Sequence, residues 1–434
     1  MNKILMISLW ALVSATGATA QTELRLTREE CRQMALAHDE RLRQEQNRLT
    51  AAGLDRQIAR TKYLPQLDGS LIGLSSTDMD MGEMTMQMRG VYDAGLSLQQ
   101  PLYAGGQIMA ANRLARIGVE SAQEQVRKTR MEVIADADNS YFTLLAVREK
   151  VKMLQAYRQQ MEALYRQVEA NVTAEMATQN ELLRITAKRS EIDYQFQKAV
   201  NGENLCRMSL CQALGIDLQT PVVVCDSVLT ATPPEGLDES IDARPELALL
   251  FKQVEAKQQQ VKMERAGYLP TVGLGLGYSY YGNIKTKGQV VLEDGSVVPF
   301  TKTTKDGMAF AMLSVNIPLW HWGANLKKVK VAKLELDNAR LDLQRNTQLM
   351  GIEARQAVQN LTDGYRMVQT ARDGRSQADE NLRVMQQQYD HGLCTLTDLL
   401  DAQTQWQQAR SNHIEAETQY KIYETEYLRV TGRL

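Results

Sequence analysis

The feature that most narrows the choice of fold is an internal repeat. The stretch Leu96–Gly106, LSLQQPLYAGG, returns at Leu313–Gly323 as LSVNIPLWHWG, with Pro101 and Pro318 separated by 217 residues. The same offset lays Glu181-Leu182-Leu183 on Asp398-Leu399-Leu400 and Gly215 on Gly432. One offset held over so long a span is a gapless duplication, so each half repeats one supersecondary plan. In the first copy Leu96 and Leu98 alternate with Ser97 and Gln99, the period of a strand. Pro101 has no N–H to donate and biases its predecessor away from helix, so the strand is expected to stop there and a helix to follow Gly105 and Gly106.

Both halves read in the same order. Thr27-x-x-Glu30 is a capping box that opens a helix running to about Lys62, ended by Tyr63-Leu64-Pro65. The second copy starts near Ala243-Arg244-Pro245-Glu246-Leu247 and ends at Tyr268-Leu269-Pro270. Pro65, Pro101, Pro270 and Pro318 thus mark the strand–helix hinges. A hairpin follows each Tyr-Leu-Pro: Gln66–Ser76 with Arg89–Gln100, then a strand from Val272 with its return over Gly307–Ile317. In the second hairpin Val272, Leu274, Leu276, Tyr278 and Tyr280 alternate with Gly273, Gly275, Gly277 and Ser279, one greasy face and one of tiny side chains. Met308, Phe310 and Met312 share one side of the return strand, and Gly282–Lys305 reads as a long polar loop.

Long helices follow from about Gly106 to Asn171 and from about Gly323 to Tyr389, each ~100 Å long at ~1.5 Å per residue. Val329, Ala332, Leu336, Ala339 and Leu343 form a coiled-coil seam, and Val331, Leu334 and Leu341 a second seam beside it. Two seams require two neighbours, as in a closed ring of helices. Shorter helices return over Gln179–Leu214 and Thr397–Thr431, so a cylinder is expected in which continuous helices alternate with stacked pairs. The expected organisation is a first repeat over 21–215, a linker over 216–242 with Pro221, Pro233, Pro234 and a short strand at Val222–Cys225, and a second repeat over 243–434.

Residues 1–20 carry Lys3, an apolar run and Ala18-Thr19-Ala20, the pattern of a secretory signal peptide, with no cysteine after the cut to take a lipid. No later run of about 18 apolar residues forms a membrane-spanning helix, so any contact with lipid falls to the strands. A net charge of −2 argues against a nucleic-acid partner. Cys31, Cys206, Cys211, Cys225 and Cys394 fit no disulfide framework or zinc spacing, although a Cys211–Cys225 bridge is open and the redox state of Cys206 is unassigned. His38, His321, His391 and His413 form no cluster, and no nucleophile, phosphate loop or cofactor motif appears, so neither an enzyme nor a cofactor is expected. Met79, Met81, Met84, Met86 and Met88 alternate in DMDMGEMTMQM. Thioethers suit Cu(I) or Ag(I), but the reading taken is an apolar strand face near a loop, with no metal assigned.

Four strands make an open sheet, and an open sheet edge does not survive in lipid. Membrane barrels begin at about eight strands, so several chains must share one; three would give twelve strands. Tyr63, Tyr92, Tyr103, Tyr268, Tyr278, Tyr280, Tyr281, Trp320 and Trp322 near the strand ends read as aromatic girdles. A soluble periplasmic coiled-coil scaffold with a small packed sheet is the alternative.

Across the mature chain, Leu26–Ala37, the two Tyr-Leu-Pro ends, Arg244–Leu247, the two proline hinges and Tyr389–Gln403, YDHGLCTLTDLLDAQ, resemble the TolC-type outer-membrane efflux proteins of Gram-negative bacteria. The resemblance implies a mainly α fold with a small β part: a homotrimer with a shared twelve-strand transmembrane barrel and a long α-helical barrel reaching across the periplasm. It implies a passive exit duct for small molecules such as drugs, docked on a periplasmic membrane-fusion adaptor and an inner-membrane pump of RND or ABC type. Ducts for type I protein secretion or for copper and silver share that plan. Asp398 and Asp401 share one helix face and match the family's entrance aspartates, so threefold carboxylate rings are expected at the mouth. Gly392, Cys394 and Thr395 form the turn before them, and Thr397 or Thr395 caps the next helix. Tyr389 matches a tyrosine that holds the entrance shut, with Glu181 and Asn180 as its partners on the neighbouring hairpin. The family's arginine position holds Cys394, so the second contact must be made differently.

Overall fold

The computed structural model describes residues 23–82, 84–225, 230–293 and 296–434; the expected signal peptide lies outside them. The chain begins with β1 (Leu24–Leu26), α1 (Arg28–His38) and α2 (Glu40–Thr61), then β2 (Gln66–Leu74), β3 (Met79–Asp80), β4 (Met84–Gln87) and β5 (Val91–Ala104). The long helix α3 (Gln107–Thr173) returns as α4 (Gln179–Leu214), followed by β6 (Val222–Val224) and α5 (Pro245–Ala266). The second half adds β7 (Thr271–Val291), β8 (Val297–Asn316), α6 (Ala324–Asp390) and α7 (Leu396–Val430). Among the described residues no helix is long and apolar enough to cross a membrane. The chain divides into two compact units, each drawing on both repeats.

The repeat is written in the backbone. Left-handed φ angles fall at Gly105 and Trp322, Gly106 and Gly323, Glu175 and Gly392, and Gly215 and Gly432, four pairs at the repeat offset. Glycine takes this conformation without a Cβ penalty; Trp322 and Glu175 take it because the duplicated turn demands it.

One unit comprises Gln44–Lys128 and Asp242–Gly351. Its antiparallel sheet runs β2-β5-β7-β8, with the small hairpin β3–β4 paired to the far part of β7. Opposed residues in such a ladder share a face, so the register sorts the side chains. Leu67, Leu71, Leu96, Leu98, Leu276, Tyr278, Leu313 and Val315 lie on one side. Asp68, Ser70, Asp93, Ser97, Gln99, Ser279 and Ser314 lie on the other, with Gly273, Gly275 and Gly277. Met308, Phe310 and Met312 belong to this polar side, and Phe310 and Met312 fill the room over Gly277 and Gly275: a Cβ at Gly277 would come within 2.3 Å of the Phe310 ring. Both outer strands, β2 and β8, have one unpaired edge, and β2 is exposed along its whole length.

Two sequence expectations differ from the structure of this unit. The strand does not stop at Pro101: β5 continues to Ala104, and the register shifts between Pro101 and Tyr103. A bulge tolerates a residue without an N–H. Gly282–Lys305 is mostly strand, because β7 and β8 stay paired to Val291 and Val297. A shift between Tyr281 and Ile284 adds its extra residue to β7, where Asn283, at φ 65°, donates to the carbonyls of Arg89 and Gly90. Between β2 and β5 the methionine stretch folds as the paired strands β3 and β4. Tyr63, Tyr103, Trp320 and Trp322 are exposed beside the helix-side strand ends, and the tilted rings of Tyr92 and Tyr280 lie 6.3 Å apart near the other end. Pro65 and Pro270 directly precede β2 and β7, and Pro318 follows β8, as expected.

In the helices of this unit the first seam is buried at Val329, Ala332 and Ala339, whereas Val331, Leu334 and Leu341 are exposed. Among the described residues, therefore, the second seam is left uncovered.

The other unit comprises the chain up to Arg43 with Thr129–Ile241 and Ile352–Leu434. The Thr27 capping box forms, but the helix expected to run to Lys62 breaks at Asp39, whose carboxylate accepts from the Leu42 N–H and starts a new helix. The parallel pair β1–β6 packs with α1, α3 and α4 around Leu26, Ala35, Tyr141 and Leu214. Asp138, 1 % exposed, accepts from Arg28 at 2.7 Å and Arg32 at 2.6 Å, and from Thr425 at 3.1 Å. Burial opposes its ionisation most strongly, but the Arg32 and Arg28 hydrogen bonds outweigh it and hold its pKa below the usual value. All five cysteines are free, so the Cys211–Cys225 bridge does not form.

Candidate entrance at the helical hairpins

Two helical hairpins, α3–α4 and α6–α7, carry the residues singled out for an entrance. The turns close alike: the Thr178 hydroxyl accepts from the Glu181 N–H and the Thr395 hydroxyl from the Asp398 N–H, the repeat applied to a cap. Gly392 sits at φ 70° in the second turn, where a left-handed residue reverses the chain. Beneath the turns the hairpins share a core. Leu396 and Leu399 are buried against Val168, Ile185 and Ile192, and Tyr157 meets Trp406 edge-on at 5.7 Å. Trp406 donates to Asp379 at 2.6 Å, Arg410 stacks on the indole at 4.6 Å, and Gln407 donates to Gln195 at 2.6 Å.

Asp398 and Asp401 are both exposed, but they differ. The Asp398 carboxylate turns back to close a capping box, accepting from the Thr395 N–H at 3.0 Å and hydroxyl at 2.6 Å. These bonds, the hydroxyl's first, lower its pKa. Among the described residues Asp401 has no hydrogen bond or ion pair, so its exposed carboxylate is not engaged as that of Asp398 is.

Tyr389 is half-buried; burial first, then the charge of Glu181, raises its phenol pKa. No hydrogen bond joins Tyr389 to Glu181 among the described residues, and Asn180 is exposed. Cys394 is half-buried and its thiol donates to the Met385 carbonyl at 3.5 Å; burial, then Asp398, pushes its pKa up and keeps it a neutral thiol. The bond that does cross the two hairpin tips was not anticipated. Arg184 in the first turns of α4 donates through Nη1 to the Thr397 hydroxyl of α7 at 2.5 Å. The repeat offset, which sets Arg184 opposite Asp401 and Asn180 opposite Thr397, was the available signal.

Comparison with known proteins agrees with this architecture. The Bordetella pertussis protein CyaE is 24% identical over 421 residues, covering 92% of this chain and 83% of its own. The Dickeya chrysanthemi proteases secretion protein PrtF is 22% identical over 431 residues, covering 93% and 87%. The solved structure of CusC superposes with a TM-score of 0.78 at 16% identity, over 93% of this chain and 92% of that one. The Campylobacter jejuni CmeC outer membrane channel gives 0.77 at 16%, over 93% and 85%. At such identities these structures establish the fold. The model of outer membrane efflux proteins matches residues 31–190 and 236–433. This is a family of Gram-negative ducts rather than enzymes, seated in the outer membrane with helices in the periplasm and working with adaptors and inner-membrane pumps. The chain belongs to the outer membrane efflux protein family.

Proposed function

We propose that three copies of this chain join their sheets edge to edge into a twelve-strand barrel, and that the helical hairpins gate the passage. The observation that carries this reading is the sheet itself: one apolar face, one polar face, and an unpaired edge on both β2 and β8. Edges of that kind in lipid leave backbone groups unsatisfied, each at a cost of several kcal/mol. Neighbouring copies satisfy them and also supply partners for Val331, Leu334 and Leu341. The duct is passive: its cargo arrives through a periplasmic adaptor from an inner-membrane pump of RND or ABC type. Small molecules such as drugs are the first reading of that cargo. Secreted protein is the second, supported by the alignment with a protein named for protease secretion over 93% of this chain. A deletion strain tests cargo: hypersensitivity to drugs and bile salts supports the first, loss of an exported protein with normal sensitivity the second.

At the entrance, Asp401 from three chains forms the free carboxylate ring, and Asp398 stabilises the turn that presents it. Arg184–Thr397 holds the two hairpins together, with the arginine on the α4 side rather than at position 394. An exposed contact of this kind contributes about 0.5 kcal/mol, so three together shift the closed–open balance by about tenfold. Arg184→Ala is accordingly expected to raise single-channel open probability in planar bilayers by about that factor. Asp401→Ala is expected to reduce cation selectivity without opening the gate. Wild-type gating in Arg184→Ala would remove Arg184 from the closing contacts.

A further inference from the structure

Five of the chain's 20 methionines fall within Met79–Met88, and the pairing of β3 with β4 gives them a shared position that the sequence alone left open. Met79 stands opposite Met86. The Met81 N–H donates to the Met84 carbonyl at 2.8 Å, so these two also face each other. Opposed residues share a face, and the four form a two-by-two array, about 5 Å across the strands and about 7 Å along them. Each thioether hangs on three rotatable bonds, so the sulfurs are able to converge on one ion.

The aspartates of this hairpin stay off that face. Asp80 accepts from Thr85 at 2.8 Å, and Asp78 accepts from Gln87 at 2.7 Å and pairs with Arg89 at 3.2 Å. Register also shows which side of the sheet the methionines occupy. Met84 opposes Gly288, which opposes Phe300; a Cβ on Gly288 would meet Met84 Cγ at 3.2 Å and the Phe300 ring at 2.9 Å. Along β8, Phe300 alternates onto the side of Met308, Phe310 and Met312, because the extra residue of the bulge belongs to β7. That is the polar side of the wall, with Asp93, Ser97 and Gln99. Lys302 shares the methionine side but stands two strands from Met86, about 10 Å by strand spacing.

We propose that Met79, Met81, Met84 and Met86 form a binding site for a soft monovalent cation, Cu(I) or Ag(I), held by neutral thioethers. Thioether sulfur selects soft ions and leaves hard cations such as Na⁺ or Mg²⁺ in water. Binding itself follows from the hairpin; that the bound ion sits in the passage rests on reading the polar face as the lumen.

The test uses the full-length protein in detergent, its cysteines alkylated first, and Ag⁺ alone as probe in calorimetric titration. The wild type is expected to bind Ag⁺ in the presence of excess Na⁺ and Mg²⁺. Met79→Leu/Met81→Leu/Met84→Leu/Met86→Leu, which keeps the apolar bulk and removes the sulfur, is expected to weaken binding by roughly 100-fold. Met79→Leu/Met86→Leu, a milder change, should fall between the two and serves if the fourfold variant does not assemble. Equal Ag⁺ binding by wild type and variants, or none by the wild type, overturns the site. Ag⁺ should also lower wild-type single-channel current and leave the fourfold variant's unchanged; binding without an effect on current would refute the luminal placement while leaving the site. A wild type that binds Ag⁺ yet conducts nothing would instead refute the duct reading.

Discussion

Leu71→Arg is expected to deplete the protein from the outer membrane, whereas Ser70→Arg, one residue earlier, leaves it assembled. Leu71 is 81% exposed on edge strand β2 and lies in a row with Ala94 and Tyr280 on the apolar face. A lipid-facing arginine near mid-barrel costs about 2–4 kcal/mol per strand, and each shared barrel would carry three. Ser70 lies on the opposite face beside Gly95 and Asp93, where an arginine gains a carboxylate neighbour and water. The Ser70 variant should therefore form heat-modifiable oligomers in wild-type yield with ion selectivity shifted toward anions. Equal yields from both variants would mean that neither face meets lipid.

Asp138→Ala should cost about 3 kcal/mol per chain in urea or thermal unfolding, the lower end of the range for breaking a buried pair. Its carboxylate holds Arg28 and Arg32 of α1 against α3, and Thr425 of α7 as well. The loss sits at the low end because Arg28 and Arg32 retain 29% and 21% exposure and regain some hydration. The pH dependence has a definite sign. The folded pKa of Asp138 lies below its unfolded value, so its stabilisation is present above the unfolded pKa of about 3.9 and is lost as pH falls through the folded one. Wild type should thus lose stability below about pH 4 by this route, and Asp138→Ala should lack that component. A variant as stable as wild type at neutral pH would show that the ion cluster contributes nothing net.

What was legible in the sequence follows from how local each signal is. The bounds of α4, Gln179–Leu214, can be read to the residue because Thr178 and Gly215 cap it through adjacent backbone. The break at Asp39 was hidden because neither proline nor glycine marks it; the aspartate ends one helix by capping the next. Pro101 ends a strand by local rules, but β7 continues alongside and the bulge absorbs the missing donor. The stretch 282–305 reads as a loop because Lys285, Lys287, Lys302 and Lys305 are polar, yet polar strands pair equally well where neither face needs lipid. At the hairpin tips the caps were local and legible. Arg184–Thr397 was not, since two hairpins must pack before the residues meet. The side of the sheet taken by the methionines likewise emerges only from register.

The central claim, that one chain supplies a third of a closed wall, is tested most directly by cross-linking β2 of one copy to β8 of the next. A cysteine pair at Leu71 and Ala311, placed in a background with the native cysteines replaced and oxidised in membranes, would join the two open edges. The account predicts covalent products that end at three chains, run by native mass spectrometry as trimers, and still conduct in planar bilayers. Monomers alone, or a ladder that continues past three without closing, would contradict it.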